Sequence, residues 1–266
     1  MSKILFIPLK IITKEMVKQE ELFDAAIIIK NSNYIVVFSG AGISTESGID
    51  DFRSPTGLWS RYDPNIYANY HYFLQDPSLF WTMHKEVEES VGTAEPNQAH
   101  IAIAELESMG KVKAVITQNI DMLHQKAGTG KNGAKIYQLH GEYGKLQCIK
   151  CKKEFNYDEI ETNSVDYPVC DCSGYIKPKV ILFGESLPRG VLEGAINECV
   201  NADCLIVVGS SLLISPANFL PSIAKQYGAK LIYINRENTV MDNLADVFLK
   251  GNAGEIFMEL LNKMEI

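Results

Sequence analysis

Two sets of residues in this chain have the types and spacing to do chemistry. The first is four cysteines in two close pairs, Cys148-x-x-Cys151 and Cys170-x-Cys172, with eighteen residues between the pairs. Thiolates spaced this way can close a tetrahedral Zn²⁺ site, each short turn presenting two sulfurs to one ion. With all four ligands from cysteine no position is open to substrate, so the ion would hold a small fold together rather than react. The competing reading is four unbound, partly buried thiols. Cys199 and Cys204 fall at a helix end and in a strand and read as core residues. The second set is polar: Gly40-Ala41-Gly42 with Thr45, then Gln118-Asn119-Ile120-Asp121, then His140. Glycines directly after an apolar strand let the backbone approach a pyrophosphate. The G-x-G-x-x-G fingerprint fails here, however, because its third position falls on Thr45 and the next glycine is Gly48. Asp51-Phe52-Arg53 follows, bringing an acid, a ring and a guanidinium to the loop that would hold a dinucleotide. A neutral imidazole such as that of His140, with an ordinary pKa of about 6.5, suits a general base. Taken singly, a histidine before glycine is as readily structural, and Asn-x-Asp as readily turn chemistry.

These residues need elements to position them. Residues 34–39 (YIVVFS), 112–117 (VKAVIT), 178–183 (PKVILF), 204–209 (CLIVVG) and 231–235 (LIYIN) are short, rich in β-branched side chains and bounded by Gly, Asn or Ser. Continuous apolar runs of this kind suit strands covered on both faces. Helical spacing appears at 97–109, through Ile101, Ala104, Leu106 and Met109, and again at 190–202 and 216–227. A helix at 14–30, with Leu22, Ala26 and Ile29 on one side, would cover the sheet. Strands alternating with helices predict an α/β fold with a doubly wound, parallel, Rossmann-like sheet. Gln118, Asn119 and Asp121 then stand at the carboxyl end of a strand, where open α/β sheets bind ligands. Two stretches break the alternation: 55–95, with many aromatics and prolines, and 142–177, with the cysteines. They predict a smaller second domain made of a helical insertion and a zinc module. The dinucleotide-binding domain would comprise 1–54, 96–141 and 178–266.

The chain has 266 residues, 46% hydrophobic and 22% charged, ample for a large core. Its 25 basic and 33 acidic residues provide no broad field for nucleic-acid phosphates. The dense basic cluster Lys145, Lys150, Lys152 and Lys153 reads as a solvated face. No apolar run reaches the roughly 18 residues of a membrane helix. The start, MSKILFIPLKIITK, lacks a small-residue cleavage site and reads as a strand or arm, so a cytoplasmic protein with no stable nucleic-acid or membrane partner is expected.

In order, "GAGISTESGIDDFRS", "TQNIDMLH", "LHGE", the four cysteines, "KPKVILFGE", "VVGSSL" and "YINRE" resemble the sirtuin family of NAD-dependent protein lysine deacylases. The likeness runs from about residue 33 to 260. It implies that NAD⁺ is a co-substrate: nicotinamide leaves, and the acyl group of an acyl-lysine protein or peptide ends on ADP-ribose. Zn²⁺ would be structural, one per chain. The resemblance places Ala41, Gly42 and Thr45 at the pyrophosphate beside Gly40, at a helix start where orphan N–H groups favour anions. Arg53 would add charge, and Phe52 would shield the reactive ribosyl centre from water. Asp121 with Ile120 would hold the carboxamide, while Gln118 and Asn119 would orient ribose hydroxyls. His140, neutral, would be the general base, with Asn119 as its catalytic companion. Gly209, Ser210 and Ser211 would meet phosphate and ribose, although Ser210 and Ser211 also read as a plain helix cap. Asn235, Arg236 and Glu237 would lie at the adenine ribose, and Asn252 and Ala253 at the adenine. Val180, Ile181, Phe183, Gly184 and Glu185 would pair with an extended substrate peptide as an added strand.

Asp50 stands where the family usually has proline, so the loop gains an acid and loses a fixed φ. Family members preferring succinyl- or malonyl-lysine carry Tyr-x-x-Arg in the helical insertion. Residues 78–89, SLFWTMHKEVEE, contain none, which predicts a neutral acyl substrate, acetyl first. The alternatives are an NAD hydrolase or protein ADP-ribosyltransferase using the same cleft, a hydride-transfer dehydrogenase, and a non-catalytic NAD- or peptide-binding module.

Overall fold

The computed structural model describes residues 9–264, with side chains from residue 18 onward. In chain order the elements are α1 (Leu9–Asn31), β1 (Ile35–Ser39), α2 (Pro64–Tyr67), α3 (Tyr70–Gln75), α4 (Pro77–Thr93), α5 (Gln98–Ser108) and β2 (Val112–Thr117). Next come α6 (Leu123–Ala127), β3 (Lys135–Gln138), β4 (Gly141–Cys148), β5 (Glu154–Asn156), β6 (Ile176–Val180) and α7 (Arg189–Asn201). The chain closes with β7 (Cys204–Val208), α8 (Leu220–Gln226), β8 (Lys230–Asn235), β9 (Val247–Lys250) and α9 (Ala253–Met264).

Six strands form one sheet in the order β3-β2-β1-β7-β8-β9, and every pairing in it is parallel. Side chains alternate between its faces. Ile35, Val37, Ile206 and Ile232 pack under α1, α5 and α9, while Val36, Phe38, Val207 and Tyr233 pack under α7 and α8. Both faces are covered, which is why these strands read as unbroken apolar runs. Strand order reverses between β1 and β7, the place where an open α/β sheet leaves a crevice.

The aromatic stretch folds because each of its short helices has a stop and a start. Asp63, Asn69 and Asp76 cap α2, α3 and α4 by accepting from the N–H two residues on, and Pro64 and Pro77 occupy first-turn positions. Trp81, Phe73 and Phe80 then join Leu146, Cys148 and Ile176 in a third core, beside a three-stranded sheet of order β5-β4-β6.

Four expectations change. The run at 178–183 does not enter the parallel sheet: it pairs as β6, antiparallel to β4. Two parallel edge strands, β3 and β9, were not anticipated, because their exposed edges make their patterns mixed. On α5 the buried face is Ala99, Ala102, Ile103 and Leu106, whereas Ile101 and Met109 are exposed. The arm expected at residues 1–14 lies outside the described residues up to position 8, and from Leu9 the chain is already helical. Leu22, Ala26 and Ile29 of that helix are buried against the sheet.

Candidate active site

The turns after β1 and β7 interlock at the switch point. Gly40 N–H donates to Val208 O at 3.0 Å and Gly42 N–H to Gly209 O at 2.8 Å. A Cβ on Gly40 would lie 2.8 Å from Gly209 O, and one on Gly209, whose φ is +61°, would lie 2.1 Å from Ile43 N. Contact between two backbones therefore demands these glycines. No α-helix starts directly after β1. The chain makes two 3-10 turns, Ala41–Ile43 and Thr45–Ser47, so the expected helix start is corrected. The Gly42 N–H expected at a pyrophosphate is already engaged with Gly209.

A cavity of about 840 Å³ opens here. Of the residues expected at the dinucleotide, all line it except Asn252. Asn252 Oδ1 instead accepts from Arg236 Nε at 2.8 Å, and its Nδ2 donates to Glu255 Oε1 at 3.1 Å. Beyond β2, Asn119 and Asp121 are buried. Asn119 Nδ2 donates to Gly40 O and to Ser44 Oγ, each at 3.2 Å. Ser44 Oγ donates to Asp121 Oδ2 at 2.6 Å, and Asp121 Oδ1 accepts from Leu123 N–H at 3.0 Å. Gln118 Nε2 donates to Ser210 Oγ at 2.8 Å, and Asn235 Nδ2 to Ser210 O at 2.9 Å. Those two bonds tie the carboxyl ends of β2, β7 and β8 together.

His140 Nδ1 lies 2.9 Å from Gln118 O. A carbonyl only accepts, so this contact places the imidazole proton on Nδ1 and leaves the Nε2 lone pair for the cavity that His140 lines. Lost hydration lowers the His140 pKa, against an opposing push from the Gln118 carbonyl. The ring is therefore neutral at physiological pH.

The loop at 50–55 clasps itself. Asp51 Oδ1 accepts from Arg53 N–H at 3.0 Å and Ser54 N–H at 2.7 Å, so this acid organises its own turn. Phe52 stacks on Trp59 with centroids 5.1 Å apart. Asp50 and Arg53 are exposed.

Val180, Ile181, Phe183, Gly184 and Glu185 all line the same cavity, but most of their backbone groups are engaged. Ile181 N–H donates to His140 O, Phe183 N–H to Ala68 O, and Phe183 O accepts from Tyr70 N–H. Glu185 accepts from Leu182 N–H at 2.9 Å and pairs with the buried Lys177 at 3.1 Å. Its carboxylate thus pins the turn through Oε2. Gly184, at φ +91°, has N–H and C=O groups that make no hydrogen bond among the described residues.

The description "Sir2 family" belongs to a family model that matches residues 40–216, about two thirds of the sequence. The chain belongs to the Sir2 family. Similar Sir2 relatives include NAD-dependent protein deacylase 2 of Archaeoglobus fulgidus, 46% identical over 93% of this chain and 97% of that protein. The NAD-dependent protein deacetylase of Sulfurisphaera tokodaii is 42% identical over 86% of this chain and 90% of its own. Among solved Sir2 structures, one described for the mechanism and regulation of these enzymes superposes with a TM-score of 0.86 at 46% identity, covering 93% of this chain and 98% of that one. A Sir2 complex with a p53 peptide and NAD⁺ gives 0.82 at 36% identity, covering 90% and 97%.

Within this Sir2 fold the four cysteine sulfurs lie within 4.8 Å of one another, with Cys148–Cys172 at 3.5 Å and Cys151–Cys170 at 3.7 Å. A tetrahedron with Zn–S bonds of about 2.3 Å has S···S edges of about 3.8 Å, so the cluster fits one zinc ion. A Cβ on Gly174 would lie 2.6 Å from Cys148 Sγ, which keeps that position small. Cys199 and Cys204 are buried, and burial raises both thiol pKa values, as core cysteines require.

Sequence reasoning missed three polar supports. Ser44 bridges Asn119 and Asp121. Asn97 caps α5 while donating to Ile43 O at 2.7 Å, and Glu46 accepts from Gly254 N–H at 2.8 Å in the first turn of α9. Asn97 carried a readable signal, since it immediately precedes a helical pattern. Ser44 and Glu46 carried none beyond lying in the quoted loop, because their partners are 77 and 208 residues away.

Proposed function

We propose that this chain is an NAD-dependent protein lysine deacylase that moves the acyl group of an acyl-lysine to ADP-ribose and releases nicotinamide. One observation carries the reading. His140, held as the Nδ1–H tautomer by Gln118 O, lines a single cavity that is also bounded by the glycine loops and by the 180–185 strip. An acyl-lysine entering past that strip and a dinucleotide seated on the loops would meet beside an imidazole able to take a proton on Nε2. Relatives carry the same activity in their names: NAD-dependent protein deacylase or deacetylase.

Bound NAD⁺ supplies the electrophilic ribose carbon to which the acyl oxygen adds. This chain's residues do the rest. Asp121, fixed by Ser44 and Leu123 N–H, presents its remaining lone pairs to the carboxamide. Asn119 and Gln118 orient ribose hydroxyls, His140 Nε2 takes the hydroxyl proton, and Phe52 with Trp59 keeps water from the centre. Gly184 offers backbone groups to a substrate peptide, and the neighbouring residues shape its seat. One Zn²⁺ on Cys148, Cys151, Cys170 and Cys172 would brace β4, β5 and β6 without joining the chemistry.

Mass spectrometry of an acylated lysine peptide, incubated with and without NAD⁺, tests this reading. Expected is deacylated peptide only with NAD⁺, matched one to one by nicotinamide and acylated ADP-ribose. Nicotinamide forming while the peptide stays acylated would move the assignment to NAD hydrolysis or ADP-ribosyl transfer. NADH absorbance appearing with turnover would move it to hydride transfer.

A further inference from the structure

One wall of the cavity is a turn that is braced from behind. Glu185 N–H donates to Leu182 O at 3.0 Å, closing a β-turn whose third residue, Gly184, has φ +91°. A type II turn needs a positive φ at that place, and glycine supplies it without strain. A Cβ on Gly184 would meet nothing within 4 Å, so the space beside it is open. Phe183, the residue before it, is fastened through both backbone groups, to Ala68 O and to Tyr70 N–H.

The brace is Lys177 of β6. Its Nζ donates to Val180 O at 2.6 Å and lies 3.1 Å from Glu185 Oε2, the oxygen that also accepts from Leu182 N–H at 2.9 Å. Pro178 O, at 3.4 Å, is its third acceptor. One ammonium thus ties both ends of the 180–185 strip. Lys177 is buried, and burial lowers its pKa while Glu185 pushes it back up. Taking an ammonium and a carboxylate out of water is costly, and an apolar pair of similar volume commonly serves stability as well or better. Stability alone therefore does not account for this charge. Lys177 is not among the residues that line the cavity, so its influence on a ligand there passes through the turn.

Resting on the deacylase reading, we propose that Lys177 is a positioning residue for the substrate peptide. Acting through Glu185 and Val180, it holds the Leu182–Glu185 turn so that Gly184 presents its N–H and C=O to an extended chain. The peptide depends on an ammonium it never touches. The dinucleotide does not, because the glycine loops expected to seat it follow β1 and β7 of the other sheet. Ile181 N–H keeps His140 O without help from Lys177, so kcat should change less than the peptide KM.

The test is the KM for an acetyl-lysine peptide and, separately, for NAD⁺, in the wild type, Lys177→Met, Lys177→Arg, Glu185→Gln and the double variant Lys177→Met with Glu185→Gln. KM does not depend on the fraction of protein folded, so partial misfolding does not imitate a shift. Lys177→Met should raise the peptide KM at least about tenfold, as loss of a hydrogen bond to a charged group implies, with the KM for NAD⁺ within about twofold. Lys177→Arg, which keeps a donor for Glu185, should recover most of the loss. In the Glu185→Gln background, Lys177→Met should add at least about threefold less than it does alone, because a clamp already opened cannot be opened again. Should Lys177→Met not fold, Lys177→Gln, neutral but still able to donate to Val180 O, carries the same expectation. A peptide KM within about twofold of wild type, equal rises in both KM values, or additive effects of the two substitutions would overturn the clamp and leave deacylation standing. A wild type that releases nicotinamide while the peptide stays acetylated would overturn the deacylase reading, and the clamp with it.

Discussion

Ser44→Ala removes a single oxygen from the middle of the candidate site. Ser44 is buried, donates to the Asp121 carboxylate at 2.6 Å and accepts from Asn119 Nδ2 at 3.2 Å. Alanine fits the space but leaves one carboxylate oxygen and one amide hydrogen without that partner. A hydrogen bond to a charged group contributes about 1.5–3 kcal/mol. Asp121 keeps Leu123 N–H, and Asn119 keeps Gly40 O, so both side chains stay in the site but are held from one side only. With the carboxamide and ribose proposed to bind at Asp121 and Asn119, that freedom should lower kcat/KM for NAD⁺ by about 10- to 150-fold. The KM for the acylated peptide should change little. The melting temperature should drop by roughly 3–12 °C from the same energy. Steady-state kinetics in NAD⁺ at fixed peptide, corrected for folded fraction by calorimetry, separates the two effects. A kcat/KM within twofold of wild type in fully folded protein would refute the positioning role. A loss of melting temperature alone would reduce Ser44 to a structural residue.

His140→Ala should reduce turnover by about 10²–10⁴-fold while NAD⁺ binding persists, and unchanged turnover would support a binding module instead. Because burial lowers the His140 pKa, wild-type kcat/KM should stay flat above about 6.5 and decline only below it. A decline already under way at pH 7.5 would contradict the neutral tautomer. His84, His100 and His124 are buried, with pKa values depressed to about 3, to about 4 and well below the ordinary value by burial. For depressed groups the stabilisation is whole above the unfolded value and is lost as pH falls from about 6.5 toward the folded values. At pH 5 His84 and His100 each cost about 2 kcal/mol, about 4 together, and His124 acts in the same direction, a sizeable part of the roughly 5–15 kcal/mol of a typical fold. Urea unfolding at pH 7 and pH 5 measures this, and a change under about 2 kcal/mol would contradict the burial of these rings. Carefully purified protein should hold about one zinc per chain, and Cys170→Ser should lower the content. Less than about half an equivalent in the wild type would undermine the four-thiolate site.

Much of this architecture is local in origin and so can be read from the chain. Apolar runs at β1, β2, β7 and β8 declare a doubly covered sheet, because both faces of each strand must be hydrophobic. Two close cysteine pairs declare four thiols that converge, because each tight turn presents two sulfurs to one place, and the four sulfurs do lie within 4.8 Å of one another. The ordered motifs from Gly40 to Glu237 also declare the Sir2 family, and the family model agrees. Edge strands β3 and β9, half exposed, carried no such pattern. The phase of α5 was likewise illegible, because apolar residues such as Ile101 stand on both sides of that helix.

Other properties exist only once distant segments meet. Gly209 is obligatory because Ile43 N lies where its Cβ would be, a contact that spans the sheet's switch point. Ser44 matters through Asp121, 77 positions away, and Glu185 through Lys177 and Leu182. The imidazole tautomer at His140 is set by one carbonyl 22 residues back. Residue types and spacing determined which chemistry this protein can attempt. Tertiary structure decided which donors are still free and which residues bound one cavity, because hydrogen-bond saturation and cavity shape are properties of packed neighbours.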